Sequence, residues 1–107
     1  MSTRANIFIR NSYDDREKEI LYHHCDGYPE GVGKSLSSIL RKLPKEENQS
    51  MTKHNLARFI CENDSEFRIT TPYSAGDAEY VYEIIISKRC VDWEHLYTGE
   101  QERLCNF

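Results

Sequence analysis

Apolar and polar residues alternate through Ala5–Arg10, which places Ala5, Ile7 and Ile9 on one face of an expected strand. A polar turn, Asn11–Asp15, precedes a second expected strand at Glu19–His24, antiparallel to the first in a hairpin. On that strand Ile20, Tyr22 and His24 share one face, while Leu21, His23 and then Cys25 share the other. Asp26–Gly33 reads as a loop. The period then changes: Val32, Leu36, Ile39, Leu40 and Leu43 recur at helical spacing, predicting an amphipathic helix from Val32 to Leu43 that Pro44 stops.

Lys45–Gln49 is a charged linker, and Ser50 or Thr52 can cap a second helix over Lys53–Glu62 with Leu56, Phe59 and Ile60 on its apolar face. Phe67–Thr71 is a short strand and Thr71–Asp77 a turn. Tyr80–Ser87 carries the strongest strand pattern, and its almost unbroken apolar character predicts a central position in the sheet. Cys90–Tyr97 forms a last strand, with Gln101–Phe107 as a tail. The order β-β-α-α-β-β-β predicts an α+β domain: an antiparallel sheet of four to five strands with both helices on one face. Residues 1–107 form a single domain, of which 100–107 are a flexible end.

Composition narrows the function classes. Only 38 % of residues are hydrophobic, so the core is modest, no cofactor as large as a flavin can be fully enclosed, and none is expected. A net charge of -4 without a dense basic run argues against nucleic-acid binding. No apolar stretch approaches the roughly 18 residues of a membrane span, and the N-terminus lacks a secretory pattern. The expectation is a cytoplasmic protein with no membrane partner. Its four cysteines (Cys25, Cys61, Cys90, Cys105) form no C-x-x-C pair and read as free thiols.

The chemistry concentrates in Tyr22–Ser35. Gly31-Val32-Gly33-Lys34-Ser35 looks like a phosphate loop, but the required first glycine would stand at position 28, which is Tyr28. A weaker anion site remains, because Gly31 and Gly33 open a helix whose first N–H groups are free, with Lys34 and Ser35 adding a charge and a hydroxyl. The competing reading has Asp26 and Glu30 satisfying those donors internally. His23 and His24 point to opposite faces, and no metal site is expected because neither finds further ligands at diagnostic spacing. His24 and Asp26, flanked by Tyr22 and Tyr28, are suited to hydrogen-bonding a polar ligand or to acid/base catalysis. Arg4 precedes the first strand and can reach the same site with its planar fork. Trp93, His95 and Tyr97 alternate on one strand face, more in keeping with core or an oligomer contact than with a stacking platform.

Thr3-Arg4 before the first strand, followed by Tyr22-x-His24-x-Asp26-Gly27-Tyr28-Pro29-Glu30-Gly31-Val32-Gly33, resembles a group of small proteins found in phages and in bacteria carrying mobile elements. The resemblance covers about the first 40 residues and implies a small, phage-type accessory protein. It assigns no catalytic residue. The expected function is binding of a polar or anionic small ligand, such as a nucleotide-derived signal, by Arg4, Tyr22, His24, Asp26, Tyr28, Gly31, Gly33, Lys34 and Ser35. The alternatives are an inhibitor that binds a host protein, and a small hydrolase or transferase using His24 and Asp26. A homodimer is expected from the small core and exposed aromatics.

Overall fold

The computed structural model describes residues 3–43, 51–71 and 78–107. The helix stop at Pro44, the linker at 45–49, the cap at Ser50 and the turn from 72 to 77 lie outside the described residues. The order of elements is β1 (Ala5–Arg10), β2 (Glu19–His23), a π-helical turn (Pro29–Gly33) running into α1 (Lys34–Leu40), and α2 (Lys53–Asn63). Then come β3 (Phe67–Thr70), β4 (Tyr80–Ile85), a 3₁₀ turn at Ile86–Lys88, β5 (Cys90–His95) and β6 (Gln101–Asn106).

Among the described residues the fold is α+β, with one six-stranded sheet in the order β3-β2-β1-β4-β5-β6. The sheet is mixed rather than antiparallel, because β1 pairs in parallel with β4 while the other neighbours run antiparallel. Local patterning reveals hairpins but not which distant strand lies beside β1. The parallel pair follows from β4 docking against β1 after β3 has docked against β2. The expected tail is instead β6, paired with β5. Its sequence, Gln-Glu-Arg-Leu-Cys-Asn, does not alternate because it is an exposed edge strand and its register slips beside Val91 and Asp92. The strands expected to reach Ser87 and Tyr97 end at Ile85 and His95, each in a turn, and the helix expected over Val32–Leu43 is regular only over Lys34–Leu40. β4 does occupy an interior place, between β1 and β5.

Register decides which side chains share a face. Ile7 stands opposite both Leu21 and Tyr82, Tyr82 opposite Trp93, and Ile84 opposite Ile9 and Val91. Val32, Leu36, Ile39 and Leu40, together with Leu56, Ala57 and Ile60 of α2, pack on that face as one core. Truncating a core residue such as Leu36 to Ala is expected to cost about 2–5 kcal/mol. The other face carries Asn6, Phe8, Tyr22, Val81, Glu83 and Asp92; there the Lys18 ammonium lies 4.6 Å above the Phe8 ring and Arg10 pairs with Glu83.

α2 begins with the Thr52 hydroxyl accepting from the Asn55 N–H at 3.1 Å, an N-cap. Its first residue, Lys53, donates to the Asp15 carboxylate at 2.8 Å and to the Glu17 carbonyl at 2.5 Å, tying the β1–β2 loop to the helix. The Lys53 hydrogen bond, with those from the Asn11 and Glu17 N–H groups, lowers the Asp15 carboxyl from 3.8 to about 2. A lowered folded-state value stabilises the protein above the unfolded value, and that contribution disappears as pH falls through the folded one. The stability difference between the wild type and Asp15→Asn, measured by urea unfolding, should therefore be constant above pH 4.5 and close between pH 3.8 and 2. A difference independent of pH in that window would remove the tie as the cause.

Candidate functional site

The β2-to-α1 corner is built by close backbone contacts. Asp26 takes a left-handed conformation, φ 54°, which short polar residues tolerate. That turn lets the Gly27 N–H donate to the Thr3 carbonyl at 2.9 Å, so the corner is stitched to the start of β1. A Cβ on Gly27 would meet the Arg4 carbonyl carbon at 2.8 Å, and one on Gly31 would meet the Asp26 carbonyl oxygen at 2.2 Å. Neither contact leaves room for a side chain.

The N–H groups that open the helical segment are used internally. Gly31 donates to the Tyr28 carbonyl at 2.9 Å and Val32 to the Asp26 carbonyl at 2.8 Å. The Tyr82 hydroxyl donates to the Gly27 carbonyl at 2.6 Å, with the Gly33 backbone beside it. Pro29 has no N–H to offer. The backbone donors expected to be free at Gly31, Gly33 and Lys34 are thus taken by carbonyls of the helical turn itself, so no free-donor anion site remains there with Ser35. Tyr82 is fully buried, and that burial, with the neighbouring Tyr80 and Glu30, pushes its phenol above the ordinary 10.

Tyrosines take up the expected acid/base pair separately. The Tyr22 hydroxyl bonds to His24 Nδ1 at 2.9 Å, and the Tyr28 hydroxyl donates to Asp26 Oδ1 at 3.0 Å, which raises the Tyr28 phenol. His23 lies on the helix side, buried, edge-on to Phe67 with ring centroids 4.7 Å apart and with Nδ1 2.5 Å from the Cys25 carbonyl. Lys34 and Ser35 belong to α1, on the opposite side of the sheet from Tyr22. The nine expected ligand-binding residues therefore do not form one constellation.

Arg4, Tyr22 and His24 do come together. Asn6 pairs with Tyr22 and Ala5 with His23, where the register ends; Arg4 and His24 adjoin these strand ends, on the face of Asn6 and Tyr22 by alternation. Arg68, which no local pattern singles out, stands opposite Tyr22 on β3 and joins them. Arg4, His24 and Arg68 are exposed and Tyr22 is half-buried. Asn6, 6 % exposed, lies beside them with its Oδ1 lacking a hydrogen-bond partner.

The four cysteines are free thiols. Among the described residues no three His, Cys, Asp or Glu side chains are placed to hold a metal ion, and no helix is long and apolar enough to cross a membrane. No protein-family model, curated protein or solved structure matches the chain.

The corner's hydrogen bonds make two substitutions informative. Tyr82→Phe leaves the Gly27 carbonyl buried without its partner and should cost about 1–3 kcal/mol in denaturant unfolding. Gly31→Ala forces the Asp26 carbonyl to move and should destabilise by at least as much. Wild-type stability for both variants would mean that the corner is not held this way.

Proposed function

We propose that the protein is a small, phage-type accessory protein that binds a polar ligand carrying an anionic group, nucleotide-derived in its simplest form. Arg4 and Arg68 hold the anion while Tyr22 and His24 contact the polar body. The observation that supports this reading is the pairing of Tyr22 with Arg68 on one accessible face, with Arg4 and His24 adjoining the ends of β1 and β2. Among the described residues neither guanidinium has an ion-pair partner. A guanidinium offers paired donors to phosphate or carboxylate, and two of them flanking an aromatic ring suit an anion attached to a planar group. The Tyr22–His24 hydrogen bond orients both rings in advance, which lowers the ordering cost of binding.

Relative to the sequence-based expectation, the site moves from the helix start to the strand face, and Asp26 and Tyr28 become neighbours rather than ligands. Asp26, bonded to Tyr28, is not paired with His24, so the reading is of a binder and not a hydrolase.

Isothermal titration with nucleoside mono- and diphosphates, inorganic phosphate and a small dicarboxylate tests it. At least one phosphate compound should bind and be recovered unchanged by chromatography, and Arg4→Ala or Arg68→Ala should weaken it by about tenfold each, the loss of one charge-assisted contact. Heat from none of these compounds, or equal affinity in both variants, would reject the site.

A further inference from the structure

On the helix side of the sheet, between the π-helical turn and the β5–β6 hairpin, lies a cleft of about 360 Å³ walled by Pro29, Glu30, Tyr80, Trp93, Glu100 and Glu102. Its walls combine two chemistries. Two are aromatic: the Tyr80 and Trp93 rings lie 5.8 Å apart and tilted by 52°, and Tyr80 meets His95 edge-on at 4.7 Å. Three are carboxylates from three separate parts of the chain: Glu30 from the helical turn, Glu100 from the hairpin turn and Glu102 from β6, directly across from Trp93. Among the described residues none of these carboxylates takes part in an ion pair or hydrogen bond. Arg103 also lines the cleft, but its guanidinium is held by the Asp92 carboxylate at 2.9 Å and contacts the Tyr13 hydroxyl at 3.2 Å. Its charge is already matched by Asp92. The phenol of Tyr80 is raised first by burial and then by Glu30, Glu100 and Glu79, so those charges converge on the ring.

We infer that this cleft binds a small organic cation, an alkylammonium or guanidinium head seated against Tyr80 and Trp93 and neutralised by Glu30, Glu100 and Glu102. Aromatic faces attract such cations through the ring quadrupole, and the attraction strengthens where water is excluded. An inorganic cation, strongly hydrated, gains little from the rings, so the aromatic walls select for an organic one. An anion is repelled by three carboxylates. This site is separate from the proposed anion site, which lies on the other face of the sheet and uses no residue in common.

Trp93 is the chain's one tryptophan; it borders this cleft and a second one lined by Val81, Glu83 and Glu94, and the pair Glu30 and Glu100, which lines only the first, tells the two apart. Tetramethylammonium chloride, putrescine dihydrochloride and agmatine sulfate are titrated into the full chain, against sodium chloride and sodium sulfate at equal ionic strength. A saturable change in Trp93 emission with at least one organic cation, absent with the sodium salts, is expected. The exposed pair Glu30→Gln/Glu100→Gln, which removes charge without cavities, should raise the midpoint by about tenfold or more. Tyr80→Leu should do the same by removing the ring, while Glu62→Gln on the far end of α2 should not. No saturable change, a change matched by the sodium salts, or an unaltered midpoint in the folded double variant would each overturn the assignment. Loss of phosphate-compound binding in Arg4→Ala leaves this titration unaffected, so the two sites fail separately.

Discussion

A single buried phenol holds the chain's most unusual stretch in place. Tyr82 stands in the interior strand β4, opposite Ile7 and Trp93, and its hydroxyl reaches the corner to give a hydrogen bond to the Gly27 carbonyl. In a dry core such bonds are strong, and the cost of leaving either partner empty is large. The parallel pairing of β1 with β4 puts Tyr82 within reach of a loop that follows β2. Had β4 docked elsewhere, the Gly27 carbonyl would need another partner. The corner, the helix start and the sheet order are therefore one constraint.

That constraint explains why glycines here resemble a ligand loop without being one. Gly31 is needed because the Asp26 carbonyl packs where a Cβ would be, and the same carbonyl receives the Val32 N–H. A backbone close enough to cradle a phosphate is also close enough to cradle its own carbonyl. The spacing of glycines records only the closeness. What separates the two cases is the identity of the acceptor, which here is supplied by the Asp26 and Tyr28 carbonyls of the same corner.

The sequence was readable where periodicity was regular. β1, β2 and α2 followed from alternation and helical spacing, β3 was legible as a short strand although only Phe67 in it is buried, and the interior position of β4 followed from its almost unbroken apolar run. β6 failed that test: with Gln101, Glu102 and Arg103 all exposed and the register slipping at Asp92, neither face carries a pattern. Arg4, Tyr22 and His24 could be grouped from β1–β2 alternation alone. Arg68 could not, since its place beside Tyr22 depends on a pairing that only the folded sheet defines. Glu30, Glu100 and Glu102 were invisible as a group for the same reason, being brought together across some 70 residues of chain by the β5–β6 hairpin returning to the helix start.

Charge is also placed unevenly in a way that net composition hides, with Arg4 and Arg68 at the β1–β3 side of their face and Glu83 and Asp92 at the β4–β5 side of the same face. A formal charge of -4 describes neither face, for Arg4 and Arg68 lie on one side while Glu30, Glu100 and Glu102 lie on the other. A layer of sheet with its side chains is about 10 Å thick, and exposed charges are screened over about 8 Å at physiological salt. Each face then presents its own local potential to a ligand approaching through water. An acidic protein can in this way attract an anion on one face. The argument against nucleic acid is unchanged by it, because two guanidinium groups are far fewer than a phosphate backbone requires. They are sufficient for one phosphate.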